Sequence, residues 1–462
     1  MFENRSFDHL LGHLDHGSLT PITAETKNLK DVSNPDGGFC EARFLSGDKD
    51  VEVDPGHGFP DVVRQLTENE PREDGPPLAH DAITMGGFAW NYARQLVDKG
   101  KDPDDACHIM GCHTAEQLPV LTTLAREFAV CSQWFCSVPS ETWPNRLFVH
   151  GAQSEGLLHN VIRPYSHRTT FDTLADAKVS WAVYAGDIPQ AAAYFEVLDV
   201  FQDRFNPLPE FFEDVRDNTL PSYSFLEPRH FKRVDSQHPT HSVILGDQLL
   251  RSVYTALAAN PRVWESTLLI VTWDEHGGFH DRVRPPKTVA PFAKRPGEER
   301  FAFDILGVRV PAVIVSPFIA KGTIDDEVHD HASVIRTVHE VLGVDECLTA
   351  RDEHAKTVLP LLTGDEPRTP PDLPPAPSAP RLMRAITPQA SPEPVELDDL
   401  QRSLVELTRL LDQHRAPQLR RLSPPVVQEL PSSATPTEID LLVSHFQHEH
   451  MGDRGERLSR QP

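Results

Sequence analysis

The chain has 462 residues and a formal net charge of −25. Nucleic-acid-binding proteins present a basic surface, so this acidic composition argues against a nucleic-acid partner and against docking on an anionic membrane through a polybasic patch. The longest apolar runs, such as residues 310–320, are shorter than the roughly 18 residues that a transmembrane helix needs, so no transmembrane segment is expected.

The chain begins with the polar stretch FENRSFDH at residues 2–9, and no signal peptide precedes it in the chain as given. The compartment is therefore left unassigned. If Glu3 and Asn4 take part in a site, they need a rigid element immediately upstream to hold them. The sequence shows no such element.

A loop-rich segment follows and ends in the turn DPGH at residues 54–57. This turn can present His57 to a site, although a single loop histidine is also typical of plain surface. Short helices are expected at residues 61–68 and 91–99. A longer amphipathic helix is expected at 117–128 and a strand at 129–135.

Six cysteines in so long a chain do not make a disulfide scaffold. Four of them form two C-x4-C pairs, Cys107 with Cys112 and Cys131 with Cys136. The first pair also carries His108 and His113, which leaves a structural zinc site open. The spacing matches no common zinc pattern, however, and favours ordinary buried or reduced thiols.

The stretch SVPSETWPNR at residues 137–146 leads into an apolar run. Thr142 stands where a helix N-cap would, with Pro144 in the first turn, where its missing N–H costs nothing. A hydroxyl at a helix N-terminus lies in positive potential, which suits an anion such as phosphate. The alternative is that Thr142 only caps the helix.

A buried strand at residues 268–272 ends in Asp274, Glu275 and His276. In an open parallel sheet, ligands bind beyond the carboxyl ends of the strands. Two adjacent carboxylates repel each other and are costly to bury without a cation, so Asp274 and Glu275 indicate half of a metal site. Solvated acids at a strand end are the alternative.

Strands and helices alternate through the chain, with a helix and strand at 169–185, a strand at 223–226, the stretch HPTH opening a helix at 243–257, a strand at 308–316 and a helix at 333–342. This alternation predicts an α/β fold with a doubly wound sheet covered on both faces.

Three segments are predicted: a domain over 1–364, a proline-rich linker over 365–395, and a C-terminal helix with a polar tail over 396–462. The helix is amphipathic, with leucines at Leu397, Leu400, Leu404, Leu407 and Leu411.

Seven motifs stand in the order seen in one family: ENRSFDH, DPGHGF, SVPSETWPNRLFVH, HPTHSV, TLLIVTWDEHGGFHD, LGVRVPAVIVSPFI and DHAS. Over residues 2–343 the chain resembles the phosphoesterase family, which comprises bacterial phospholipases C, plant non-specific phospholipases C and related acid phosphatases. Three of the motifs, DPGH, SVPSETWPNR and HPTH, are most similar to the non-specific phospholipase C branch.

The resemblance implies an alkaline-phosphatase-like fold, a mixed sheet sandwiched by helices. It also implies a divalent cation of unknown identity, held by Glu3, Asn4, Asp274 and Glu275. An all-oxygen ligand set points to a hard or borderline cation.

By the same resemblance, Thr142 occupies the position of the nucleophile and forms a phospho-threonine intermediate. A histidine near the leaving oxygen would protonate the departing group and later activate water, with His238 the first candidate and His241 and His57 the next.

Three functions remain open. The first is a phospholipase C, which releases diacylglycerol from a phospholipid and makes peripheral contact with a lipid surface. The second is an acid phosphatase that acts on soluble phosphomonoesters. The third is a non-catalytic remnant with a binding or structural role.

Two departures from the family pattern stand out. After DEHGGF the family shows an aromatic residue and then Asp-His, whereas this chain has His280-Asp281-Arg282, so Arg282 either alters head-group preference or is a surface change. Family members also carry a hydrophobic strand before ENRSFD. Its absence here leads to the expectation that the start is mis-assigned or that an interior strand is missing, so that the sequence as given is unstable or poorly active.

Overall fold

The computed structural model describes residues 1–47, 51–71, 78–292, 301–375, 394–419, 432–452 and 454–460. The chain divides into two compact units, residues 1–159 with 237–377 and residues 160–236 with 378–462. The composition of the sequence does not change at residue 160 or at residue 236. Composition therefore could not show that residues 160–236 belong to the same unit as residues 378–462. The boundaries expected at 364 and 395 stay a prediction, and most of the proline-rich stretch lies outside the described residues.

The strands are short. They are β1 (Lys27–Leu29), β2 (Phe39–Glu41), β3 (Arg43–Phe44), β4 (Gly111–Cys112), β5 (Ala129–Cys131), β6 (Trp181–Ala185), β7 (Phe205–Pro207), β8 (Tyr223–Glu227), β9 (Leu269–Thr272), β10 (Ala312–Val315), β11 (Thr323–Asp325), β12 (Val395–Glu396) and β13 (Ser433–Ala434).

The α-helices range from one turn to about six. They are α1 (Phe7–Leu11), α2 (Phe59–Thr67), α3 (Phe88–Asp98), α4 (Pro119–Glu127), α5 (Thr142–Gly151), α6 (Thr170–Asp176), α7 (Phe195–Val200), α8 (Leu208–Asp217), α9 (Val243–Ala259), α10 (Pro261–Trp264), α11 (Ala332–Leu342), α12 (Ala350–His354), α13 (Asp399–Leu419), α14 (Pro436–His450) and α15 (Arg454–Arg460). The predicted mixed α/β class is confirmed.

The first unit is built around a four-stranded sheet in the order β11-β5-β10-β9. Its strands are rich in β-branched residues, which pack well on a pleated surface, and β10 is buried along its whole length. The sheet is mixed, because β10 runs antiparallel to both β5 and β9 while β11 runs parallel to β5. A mixed sheet is what the resemblance to the phosphoesterase family implies, so this expectation is confirmed.

The start of the chain is anchored to the end of β9. Phe2 N donates to Thr272 O at 2.9 Å, and Asp274 N donates to Phe2 O at 3.2 Å. The rings of Phe2 and Trp273 also stack, with centroids 5.2 Å apart. The sequence showed no rigid element ahead of Glu3. In the structure, Phe2 pairs in parallel with Trp273, just after β9, and this pairing fixes the backbone immediately before Glu3.

A disulfide joins Cys40 on β2 to Cys107, across a sequence separation of 67 residues. The prediction of a buried or reduced thiol is therefore wrong for Cys107, and the zinc hypothesis for Cys107 and Cys112 is wrong as well. Spacing along the chain could not show the pairing because the partner lies far away in sequence. Cys112, Cys131 and Cys136 are buried thiols.

The second unit contains a parallel sheet in the order β7-β6-β8. The predicted helix and strand at 169–185 are confirmed as α6 and β6, and the amphipathic leucine helix is α13. The structure adds α14 where a polar tail was expected. Its buried face is formed by Ile439, Leu442 and Phe446 at helical spacing.

Candidate functional site

The side chain of Asp274 lies at the carboxyl end of β9 and organises the backbone around it. Asp274 is fully buried, and its Oδ1 accepts hydrogen bonds from Asn4 N at 3.1 Å and Glu275 N at 2.8 Å. Asn4 has a φ of 54°, which is uncommon for a residue other than glycine. The hydrogen bond to Asp274 holds Asn4 in that conformation and brings two distant motifs together.

Arg146 connects two of the predicted metal ligands. Its Nε donates to Asp274 Oδ2 at 3.1 Å, and its Nη2 donates to Glu3 Oε1. All three side chains are buried. Burial raises the pKa of Glu3 well above its usual range, the guanidinium of Arg146 lowers it, and the Asp274 carboxylate raises it further. The sequence did not single out Arg146, although it lies four residues after Thr142 and therefore on the same face of a helix.

Thr142 is the first residue of α5, and the N-cap is Glu141. The prediction that Thr142 is the N-cap is therefore wrong by one position. Its buried hydroxyl lies 3.4 Å from Glu3 Oε2 and 3.3 Å from Asn4 Oδ1, so the Thr142 side chain faces these two oxygens.

The loop before Thr142 is braced by Asn145. The amide oxygen of Asn145 accepts from Val138 N at 3.0 Å, and its amide nitrogen donates to Ser140 O at 2.9 Å and Glu141 O at 3.1 Å. A single buried side chain therefore fixes the turn that leads into α5. The asparagine three residues after Thr142 therefore has a structural role in this chain.

Glu275 is also fully buried. Its Oε2 accepts from Gly277 N at 2.7 Å and lies 3.2 Å from His276 Nδ1. Its other oxygen, Oε1, is buried and makes no hydrogen bond to any part of the chain that the structure describes. A buried carboxylate oxygen in this state is costly unless a cation or an ordered water reaches it.

The glycine pair after His276 allows two segments to approach closely. Gly277 has a φ of 62°, and a Cβ there would lie 2.2 Å from Asn4 O. Gly278 has a φ of 73°, and a Cβ there would lie 2.8 Å from Gly56 O. No side chain fits at either position, so glycine is what lets the first motif and the DPGH turn reach the end of β9.

His331, from the motif DHAS, contacts the backbone of Asp274, a role that the sequence analysis did not assign to it. Its Nδ1 accepts from Trp134 Nε1 at 3.4 Å, so its proton is on Nε2, which donates to Asp274 O at 2.5 Å. Burial lowers the pKa of His331, which keeps it neutral. This contact joins residues far apart in the chain, so no local pattern could reveal it.

His238 is buried and lies in a strained turn. Its neighbours Gln237 and Thr240 each have a φ of 72°. His238 Nε2 lies 4.0 Å from Asp54 Oδ2, a residue of the DPGH turn.

The other two predicted histidines, His57 and His241, lie near His238. Ring centroids are 6.2 Å from His238 to His57 and 6.5 Å from His238 to His241. His57 Nδ1 donates to Pro55 O at 2.8 Å, so Nε2 is the ring atom that can exchange a proton in the neutral state. The structure therefore groups the three predicted histidines.

The helices α2 and α3 hold the DPGH turn. Gln65 Nε2 donates to Gly56 O at 2.6 Å, and Gly56 N donates to Gln95 Oε1 at 2.7 Å. Gln65 Oε1 in turn accepts from His276 Nε2 at 2.8 Å, so the turn and the end of β9 share one glutamine.

Arg282, which departs from the family pattern, contacts a loop. Its Nη1 donates to Pro21 O at 3.1 Å, its Nη2 donates to Thr20 O, and its Nε lies 3.3 Å from Asp8 Oδ1. These contacts favour a structural role over a role in head-group selection.

Two further groups of side chains bring possible ligand atoms within 4.8 Å of one another, Cys131 with Asp325 and His329, and Asp412 with His445 and His450. In each, a histidine already bonds to the carboxylate: His329 Nε2 lies 2.8 Å from Asp325 Oδ2, and His445 Nε2 lies 2.9 Å from Asp412 Oδ1. These bonds satisfy the carboxylates without a metal.

The sequence of residues 1–345 matches the model of the phosphoesterase family. The chain belongs to the phosphoesterase family. Non-specific phospholipase C3 of Arabidopsis thaliana is 33% identical over 436 residues, covering 88% of this chain and 80% of that protein. Phospholipase C B of Mycobacterium tuberculosis strain H37Rv is 30% identical over 392 residues, covering 74% and 72%. This phosphoesterase is a hydrolase that acts on phosphoester bonds.

A crystal structure of an alkaline phosphatase superfamily protein from Vibrio parahaemolyticus aligns with 52% of this phosphoesterase and 65% of that chain, at 13% identity and a TM-score of 0.33. At this TM-score the match adds nothing to the assignment. Among the described helices, none is both long enough and apolar enough to cross a membrane.

Proposed function

We propose that this phosphoesterase is of the phospholipase C type and cleaves a phospholipid into diacylglycerol and a phosphorylated head group. The names of its relatives from a plant and a bacterium support this substrate class. The observation that carries the proposal is the buried hydroxyl of Thr142, which faces Glu3 Oε2 and Asn4 Oδ1 at the start of α5.

The proposed ligands of a divalent cation are Glu3, Asn4, Asp274 and Glu275. Three of them are buried carboxylates, and one guanidinium, that of Arg146, contacts two of the three. The remaining negative charge and the unbonded Oε1 of Glu275 fit a cation. Only oxygen atoms are offered, which favours a hard or borderline metal. Such an ion, when bound, would lower the pKa of a nearby hydroxyl and offset charge on phosphate oxygens.

In the proposed reaction, Thr142 Oγ1 attacks the phosphorus in line with the bond to the diacylglycerol oxygen. The hydroxyl faces Glu3 Oε2 at 3.4 Å, and this carboxylate can accept its proton. The bond from phosphorus to the diacylglycerol oxygen breaks as the bond to Thr142 forms, which leaves a phospho-threonine intermediate.

His238 donates a proton to the departing diacylglycerol oxygen and then removes a proton from the water that hydrolyses the phospho-threonine. The second step breaks the bond from phosphorus to Thr142 Oγ1, returns the proton held by Glu3 to that oxygen, and releases the phosphorylated head group. His57 and His241 lie next to His238 and are the alternative proton donors. An acid phosphatase would use the same groups on a monoester, so the substrate decides between the two functions.

The experiment compares turnover of phosphatidylcholine and p-nitrophenyl phosphate by the wild type, Thr142→Val and Thr142→Ser. Valine matches the shape of threonine without a nucleophile, while serine keeps the hydroxyl, so the two variants are a matched pair. We expect diacylglycerol release that is lost in the valine variant, partly kept in the serine variant, and suppressed by a chelator.

Turnover of the monoester alone would instead make the protein an acid phosphatase. Full activity of Thr142→Val on phosphatidylcholine would overturn the assignment of the nucleophile, and full activity in chelator would overturn the metal site.

A further inference from the structure

The turn that carries His238 is strained, because Gln237 and Thr240 both have a φ of 72°, a conformation that residues other than glycine adopt at a cost. Within the turn, His241 N donates to His238 O at 3.1 Å. The Gln237 side chain is fixed at both ends, because Oε1 accepts from Trp273 Nε1 at 2.9 Å and Nε2 donates to Val243 O at 2.7 Å. The backbone of the turn is also bound by a residue from outside it.

That residue is Arg5, from the first motif of the chain. Arg5 is fully buried. Its Nε donates to Gln237 O at 2.7 Å, and its Nη2 donates to His238 O at 3.3 Å. One guanidinium therefore bonds to two consecutive carbonyl groups of the strained turn, one of them that of His238 itself.

Arg5 is in turn fixed by His9. His9 Nδ1 donates to Gly111 O at 2.8 Å, so Nε2 carries the lone pair that accepts from Arg5 Nη1 at 3.0 Å. Burial lowers the pKa of His9, which keeps it neutral and able to accept. Phe279 lies under both groups, 4.7 Å from the Arg5 guanidinium and 3.8 Å from the His9 ring. The guanidinium therefore has one orientation.

We propose that Arg5 is a positioning residue for proton transfer by His238: it fixes the strained turn so that the imidazole faces the oxygen of the leaving group. This inference rests on the proposed function, because it needs His238 as the general acid. Arg5 acts through the backbone of the turn and need not touch the substrate.

The test compares two substrates that share a head group and differ in the leaving group, monomeric short-chain phosphatidylcholine and p-nitrophenyl phosphorylcholine. A diacylglycerol alkoxide needs a proton as it leaves, whereas p-nitrophenolate leaves without one. We compare kcat/KM, which covers the steps through release of the leaving group and omits the shared hydrolysis of the phospho-threonine, in which His238 is also the proposed base. Because general acid catalysis contributes about 10²–10⁴-fold, we expect Arg5→Met to lower kcat/KM on phosphatidylcholine by about 10–100-fold. On the p-nitrophenyl ester we expect kcat/KM to fall by less than about threefold.

Arg309→Met is the matched control. Arg309 is also a buried arginine, paired with Asp281 at 3.0 Å and placed 4.1 Å from the centroid of the Phe7 ring. Its loss should lower kcat/KM in the same proportion for both substrates. Gly246→Ala is the second test variant, because a Cβ there would lie 2.3 Å from Gln237 Cγ and displace the turn without removing a charge. It should reproduce the selective loss even where Arg5→Met fails to fold.

His238→Ala separates the two levels of the proposal. If His238→Ala lowers kcat/KM equally for both substrates, His238 is not the general acid, and the role of Arg5 is overturned with it. If the loss in His238→Ala is selective but Arg5→Met and Gly246→Ala lower kcat/KM equally for both substrates, the proposed function stands and the role of Arg5 is refuted. Selective loss in all three, with the Arg5→Met/His238→Ala double variant no worse than His238→Ala, supports the proposal.

Discussion

Replacing Arg146 with methionine should destabilise the unit that contains the site, and a divalent cation should reverse much of this loss. The guanidinium contacts Asp274 and Glu3, and all three side chains are buried. Methionine keeps most of the volume but removes the charge. The carboxylates of Asp274 and Glu3 then lose the guanidinium that contacts both of them.

The magnitude follows from the burial of the pair. Removing one partner of a buried ion pair costs about 3–5 kcal/mol. The unit has about 300 residues. At about 2.1 cal/mol/K of unfolding entropy per residue, each kcal/mol lowers Tm by about 1.6 °C, so Arg146→Met should lower Tm by about 5–8 °C.

The assay is thermal unfolding of the wild type and Arg146→Met, each in chelator and in excess divalent cation. The full loss is expected in chelator. In excess cation the loss should shrink by half or more, because the bound charge replaces that of the guanidinium. Arg336→Met is the control, since Arg336 is more than a third exposed and pairs with Glu340 at 3.9 Å, so its loss should stay within about 0.5 kcal/mol.

Two results would refute this reasoning. An equal loss of Tm in chelator and in excess cation would show that no metal shares the charge of these carboxylates. An unchanged Tm in chelator would show that the carboxylates do not need the Arg146 charge.

Three further predictions follow from individual contacts. Gly277→Ala should lower kcat/KM on phosphatidylcholine by about 100-fold, because a Cβ would lie 2.2 Å from Asn4 O and push a proposed ligand out of place; unchanged kinetics would contradict this. Replacing Cys40 and Cys107 together by serine should lower the free energy of unfolding by about 4 kcal/mol, since the disulfide spans 67 residues, and a reducing agent should do the same to the wild type but leave the variant unaffected. Burial lowers the pKa of His280 to about 4 from an ordinary value of 6.5, so the unfolded state binds the extra proton and stability falls as pH drops below 6.5. The wild type should lose about 2 kcal/mol more than His280→Gln between pH 7 and pH 5 in denaturant titrations, and parallel losses would refute it.

Much of the candidate site was predictable, because the order of the motifs and the positions of the strand ends indicate which residues lie close together. Asp274 follows the end of β9, as the sequence indicated, although only the last two residues of that strand are buried. Glu3, Asn4 and Thr142 lie close by, although they are more than 100 residues away in sequence. The position of Thr142 at the first helical residue, with Glu141 as the cap, differs from the prediction. Pro144 fits the first turn in either register, so the sequence could not separate them.

The supporting residues were not predictable in the same way. His331 acts through a backbone carbonyl of Asp274, and the disulfide joins cysteines 67 residues apart, so each depends on tertiary contacts that no local pattern encodes. The grouping of residues 160–236 with the C-terminal segment is of the same kind. Arg146 is the exception, because its spacing from Thr142 places both on one face of α5.

Three residues of the site and of the turn that carries His238 have strained backbone conformations. Asn4, Gln237 and Thr240 all have φ values between 54° and 72°, a conformation that residues other than glycine adopt at a cost. Asn4 N is held by the Asp274 carboxylate, and the carbonyl of Gln237 by Arg5. The side chains that stabilise the strained backbone, Asp274 and Arg5, are thus themselves buried and charged. Variants at these positions should therefore lose folding stability and catalytic geometry together, and only substrate selectivity or dependence on the cation separates the two effects.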